Sequence, residues 1–115
     1  MLAAPFRLRQ SADFQATVRQ GVRAGRTNLV VHLLCRQVDE PARIGFTVGA
    51  QVGGSVTRHR LTRQLRALSR PLLPSLPAGT NVVVRALPTA ATVEFQTLAV
   101  EFPEALASAL RKAQR

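Results

Sequence analysis

The side chains best equipped for chemistry in this chain are arginines, and they are densest in Ser55-Val-Thr-Arg-His-Arg-Leu-Thr-Arg-Gln-Leu-Arg-Ala-Leu-Ser-Arg70, which holds five of the sixteen basic residues. A guanidinium is always charged and presents a planar fork of N–H donors, so what it offers is recognition of phosphate or guanine rather than proton transfer. At about 100° per residue, Leu61, Leu65, Leu68 and Leu72 fall into one stripe, the i, i+4, i+7, i+11 pattern of a core-facing helix. His59, Arg63, Arg66 and Arg70 form the opposite stripe, with Arg58 and Arg60 to either side. No Asp or Glu occurs from Val52 to Leu87. A merely solvated helix mixes charge signs for i, i+4 pairing, so an acid-free arginine face points to a polyanionic partner.

Other chemistries find less support. The six acids, Asp13, Asp39, Glu40, Glu94, Glu101 and Glu104, fall at a helix start, in a turn and along the tail, with no paired carboxylates and no Ser/His/Asp or Cys/His set. The chain alone is therefore not expected to be an enzyme, and no metal site is expected in it. Gly49-Ala-Gln-Val-Gly-Gly54 has the glycine spacing of a P-loop, but Ser55 stands where its lysine belongs, so a nucleotide site is a weak reading. Backbone amides at that helix start still suit a phosphate. Cys35 sits in an apolar run and reads as a small core residue. His59 has no Cys or acid near it and suits RNA contact or solvent rather than a metal.

These residues must be positioned by a fold that 115 residues can build as one domain, 1–115, with residues 1–6 expected to be flexible. A hydrophobic share of 46% with 4% aromatics describes a Val/Leu/Ala-packed globule. Lys+Arg 16 against Asp+Glu 6 gives +10, which favours nucleic acid first and an anionic membrane second. The N-terminus lacks a signal-peptide h-region and no run nears the roughly 20 apolar residues of a membrane span, so a cytoplasmic location without membrane contact is expected.

The patterns predict a short helix over Ser11 to Gln20, with Ser11 as N-cap and Phe14 and Val18 sharing a face. Gly21 to Thr27 reads as a basic turn, Asn28 to Arg36 as a buried strand, and Arg43 to Gly49 as a half-covered strand pairing with it in an antiparallel hairpin. After the arginine helix and its proline-rich stop come a strand over Asn81 to Leu87 and a tail helix bent near Pro103, with Val93 to Phe95 as a possible strand instead. The resulting order, α-β-β-α-β-α, is an α/β two-layer sandwich with a small mixed sheet covered by helices.

Several segments together resemble the bacterial ribonuclease P protein family: Arg7-Leu-Arg9, Ala12-Asp-Phe14, Arg23-Ala-Gly25, Leu29-Val-Val31, Ile44-Gly-Phe-Thr-Val48 and, above all, Gly53 to Arg66. The likeness runs from about residue 7 to residue 113. The family hallmark, Val-x-Arg-Asn-Arg-Ile-Lys-Arg, is met by Val56-Thr-Arg-His-Arg-Leu-Thr-Arg63, with the three arginines at their spacing. The resemblance implies a left-handed crossover after the basic helix, and a non-catalytic protein subunit whose RNA partner removes the 5′ leader of precursor tRNA with Mg2+ held mainly by that RNA. It further implies RNA binding by Arg58, His59, Arg60, Arg63, Arg66 and Arg70, and a leader cleft at Phe14, Val18, Val30 and His32. Arg7, Arg9, Arg23 and Arg26 would add basic contacts. The chain departs from the family pattern at His59, Thr62, Val18 and Gly49-Ala-Gln51, and each lost phosphate-contacting cation should flatten the salt dependence of binding by roughly 0.7 to 0.9. A structured-RNA binder of ribosomal type, without a processing role, is the alternative. A peripheral membrane or DNA-binding protein using the same arginine stripe is a further alternative; the narrow Leu stripe and the absence of Trp and Tyr count against an interfacial helix.

Overall fold

Two runs of this chain are apolar on both sides, and both become central strands. In the computed structural model, which describes residues 3–115, these are β2 (Leu29–Cys35) and β4 (Thr80–Ala86). The shorter and more polar β1 (Val22–Gly25) and β3 (Arg43–Thr47) take the edges, giving a four-stranded sheet in the order β1-β2-β4-β3. β1–β2 and β2–β4 are antiparallel, and β3–β4 is parallel.

The hairpin expected between β2 and β3 does not form, because β4 lies between them. A strand with near-continuous apolar character needs neighbours on both edges and cover on both faces, and the seven residues of β4, five of them buried in succession, satisfy that need in the middle of the sheet. β3 alternates and begins with Arg43, which suits an edge. Part of its free edge is covered by the N-terminal segment, where Arg7 bridges to Ile44 and the Leu8 N–H donates to the Ile44 carbonyl at 3.1 Å. β1 is likewise a correction: Gly21 to Thr27 reads as turn, yet Val22–Gly25 pairs with Val30 to Leu33.

Three helices cover the sheet. α2 (Ser55–Ser69) and α3 (Phe95–Ala113) pack on the face that carries Leu29, Val31, Leu33, Ile44, Val82 and Val84, and this side forms the main core. α1 (Ser11–Gln20) lies on the other face, where its packing is with β2 and β4. Gln10, not Ser11, occupies its N-cap, and no side chain caps it. α3 runs as one helix through Pro103, with Leu98, Phe102, Ala105, Leu106 and Ala109 buried at helical spacing on both sides of the proline. The strand alternative for Val93 to Phe95 is not taken up, since Phe95 opens α3 and is exposed.

Residues 1 and 2 of the N-terminal stretch lie outside the described residues, and Ala4–Phe6 form a 3-10 turn. Two further 3-10 turns, Arg70–Ser75 and Pro88–Ala91, follow α2 and β4. The contact between the Arg36–Glu40 turn and the residues entering β4 depends on Gly79, which accepts from the Arg36 N–H and donates to the Glu40 carbonyl, and whose φ of 82° belongs to the left-handed region that glycine enters freely. A Cβ there would also meet the Arg36 and Val38 carbonyl oxygens at 2.5 and 2.8 Å.

Candidate nucleic-acid interface

α2 divides its residues as the spacing predicts. Leu61 and Leu65 are each 1% exposed, while Leu68 and Leu72 are partly buried against the same core. His59, Arg63, Arg66 and Arg70 are exposed. Burying two leucines contributes about 1.5 to 3 kcal/mol each and fixes the rotation of the helix about its axis. That rotation is what turns Arg63 and Arg66 outward.

The flanking arginines behave differently from one another. Arg60 is half-buried, and its Nη2 donates to the Ala91 carbonyl at 2.7 Å, tying α2 to the turn that leads into α3. Arg58 is also half-buried, and its Nε is buried without a hydrogen-bond partner. Its carbonyl accepts the Thr62 hydroxyl at 2.9 Å. Among the described residues, no carboxylate lies within ion-pair distance of Arg58, Arg60, Arg63 or Arg66; the ion pairs instead join Arg26 to Glu104, Arg36 to Glu40, and Arg43 to both Asp13 and Glu40. Gly54 caps the start of α2 without a side-chain hydrogen bond, and the first turn has no acid, so its amides remain available to an anion.

The four cleft residues expected from resemblance lie on the α1 side of the sheet, but they are not equally open. Phe14 is half-buried and rests on Gly45, where any Cβ would overlap its ring. With Arg7, Leu8, Arg9, Gly45, Phe46, Thr62 and Arg66 it lines a groove of about 240 Å3 that joins the N-terminal segment to α2. Val18 is 45% exposed, whereas Val30 and His32 are only 3% and 6% exposed. Burial, then the neighbouring guanidiniums of Arg85 and Arg23, hold His32 below the ordinary histidine pKa, so near neutral pH it is uncharged.

The remaining basic residues separate into groups. Arg7 and Arg9 join the groove beside Phe14 and Arg66. Arg23 stands opposite His32 in the β1–β2 register, and its carbonyl accepts the Lys112 ammonium at 2.8 Å. Arg26 is not brought to the same place: its Nε lies 3.7 Å from Glu104 and its Nη1 donates to the Gly25 carbonyl. Arg85 was passed over by sequence reasoning. The signal for it is its position as the one charged residue of β4, directly after Val82-Val-Val84, two residues from Val83 and therefore on the α1 side. A separate concavity of about 580 Å3, beside Phe6, Leu73 and Leu76, is mainly apolar and has a single lining cation, Arg70. It is not where the arginines converge.

A family model described as Ribonuclease P matches residues 2–110. The chain is 45% identical to the ribonuclease P protein component of Salinispora tropica, covering 95% of this chain and 93% of that protein. It is 44% identical to the ribonuclease P protein component of Kocuria rhizophila, covering 97% and 98%. Among solved structures it is similar to the RNase P protein of Thermotoga maritima, with a TM-score of 0.72 and 25% identity over 92% of this chain and 96% of that one. The RNase P protein of Staphylococcus aureus shares the fold at a TM-score of 0.74 and 22% identity over 94% of each chain.

Proposed function

Because the chain belongs to the ribonuclease P protein family, we propose that it works as the protein component of a ribonucleoprotein endoribonuclease whose RNA subunit cuts the 5′ leader from precursor tRNA. The observation that carries this reading is the acid-free face of α2: Arg63 and Arg66 are exposed, and neither has a carboxylate partner among the described residues. Such a face gains free energy by replacing counterions on a folded RNA. In this reading Arg63, Arg66 and Arg70 meet the catalytic RNA, and Arg60 supports them by fastening α2 to the Ala91 carbonyl. The groove of Arg7, Arg9 and Phe14 is placed to receive single-stranded leader, with the Phe14 ring as a stacking surface.

Magnesium would belong to the RNA. Consistent with that reading, no three His, Cys, Asp or Glu side chains cluster among the described residues. What the protein supplies is cationic charge close to the RNA backbone, which lowers mutual phosphate repulsion and so lessens the metal concentration the RNA needs. No helix is long and apolar enough to cross a membrane, and a cytoplasmic site of action is part of the proposal.

Assembly with the catalytic RNA tests the interface. Its affinity should fall with salt, and Arg63→Ala and Arg66→Ala should each flatten the log–log slope by roughly 0.7 to 0.9. Unchanged slopes in both variants would remove this face of α2 from the RNA contact.

A further inference from the structure

Three nitrogen-bearing side chains meet on the α1 side of the sheet, and one of them, Arg85, has had no role so far. Arg23 is the direct cross-strand partner of His32, while Arg85 pairs with Val30, two residues along β2 from His32. Cross-strand partners and i, i+2 neighbours share a face, so all three project the same way. His32 is 6% exposed, and its ring has no hydrogen-bond partner among the described residues. The Arg85 Nε is buried and likewise unpartnered. A buried guanidinium N–H without a partner, on a face that also carries His32 and Arg23, calls for a ligand that accepts hydrogen bonds.

The surrounding charges name its sign. β1 contributes Arg23 and β4 contributes Arg85. α1 carries Asp13 and Arg19, but Asp13 lies 4.0 Å from Arg43 at the β3 edge and Arg19 is exposed. β3 contributes Arg43, already paired with Glu40 at 3.2 Å. α3 packs on the opposite face of β2, where Glu101 is taken by Asn28 and Glu104 by Arg26. Among the described residues, no acid pairs with Arg23 or Arg85.

We propose that Arg23, His32 and Arg85 form a proton-linked phosphate site, in which a backbone phosphate of single-stranded RNA seats against the two guanidiniums as His32 takes up one proton from solvent. The proposal rests on the reading of this sheet face as the leader-binding side. In the empty site, burial and the two arginines keep the imidazole neutral. A bound phosphodiester offsets the field of the arginines and attracts the imidazolium, so the complex holds more protons than its parts. Linkage then requires affinity to rise as pH falls, with a ceiling of about tenfold per pH unit for one proton.

The test uses the full chain and a fluorescent oligouridylate, whose bases do not titrate in the window, with binding measured from pH 5.5 to 8. Wild type is expected to bind about three- to tenfold tighter per unit of falling pH below neutrality, His32→Gln to lose that slope, and Arg85→Gln to bind more weakly at every pH. The proton NMR titration of His32 in wild type, with and without oligouridylate, makes the test independent of how the variants fold. Its midpoint should move upward on binding. Binding with the same pH slope in wild type and His32→Gln, or a His32 midpoint unmoved by saturating oligouridylate, overturns the proposal while leaving the leader-side reading intact. No binding of oligouridylate at any pH overturns both.

Discussion

Arg60 and Arg63 sit three residues apart on one helix and do different work. Arg63 points into solvent with no carboxylate partner, so its removal should weaken RNA assembly and leave the fold alone. Arg60 donates to the Ala91 carbonyl at 2.7 Å, so Arg60→Ala should lower thermal stability by about 1 to 2 kcal/mol, the charged hydrogen-bond range reduced for partial exposure. Melting the two variants in parallel checks this: equal melting points would contradict the division. His32 supplies a second prediction. Its folded pKa is depressed, so the folded state resists a proton that the unfolded state accepts; its contribution to stability is present above about pH 6.5 and is lost as pH falls below that value, at up to about 1.4 kcal/mol per unit. Denaturant unfolding between pH 7.5 and 5.5 should show this loss in wild type and a shallower one in His32→Gln. At this scale the sequence revealed which residues are cationic and which helix face they share, because helical spacing is local information. It did not reveal that Arg60 is engaged, since Ala91 is 31 positions away, nor that Arg85 stands beside His32, since strand register is decided by pairing across the sheet.

The elements were legible where their period was strong and hidden where their neighbours decided. α2 spans Ser55–Ser69 as its leucine stripe predicts, because a run of i, i+4, i+7 apolar residues has few other uses. The β2–β3 hairpin was misjudged for a physical reason: adjacency in sequence favours pairing, but the burial demand of β4 is greater and inserts it between them. β1 escaped notice because the four residues Val-Arg-Ala-Gly, set between Gly21 and Arg26, are too short a run to carry a strand signal of their own; β2 and α3 hold them in place. Two substitutions probe the elements that position the arginines. Leu65→Ala opens a cavity under α2 and should cost about 2 to 5 kcal/mol in denaturant unfolding. Gly79→Ala forces a left-handed φ onto a Cβ that meets two carbonyl oxygens, and should cost about 1 to 3 kcal/mol, loosening the link between the Arg36 turn and β4. A neutral Leu65→Ala would mean that α2 does not bury this face.

On the scale of the whole molecule, the charge is not only large but sorted. Asp13 and Glu40 neutralise Arg43 and Arg36 at one part of the surface, and Glu101 and Glu104 are held by Asn28 and Arg26 at another. On the α2 face, Arg58, Arg60, Arg63 and Arg66 have no carboxylate partner among the described residues, within a chain of net charge +10. A field arranged this way steers a polyanion toward α2, so association should slow steeply with ionic strength. In the proposed function, cations delivered at a fixed place would reduce the RNA's need for mobile ones. The decisive measurement is therefore cleavage of precursor tRNA by the cognate catalytic RNA at low magnesium, with and without this protein. On the reading of α2 as an RNA-binding face, adding the protein raises the cleavage rate at low magnesium, and the advantage shrinks as magnesium is increased. A rate no higher than that of the RNA alone would contradict it.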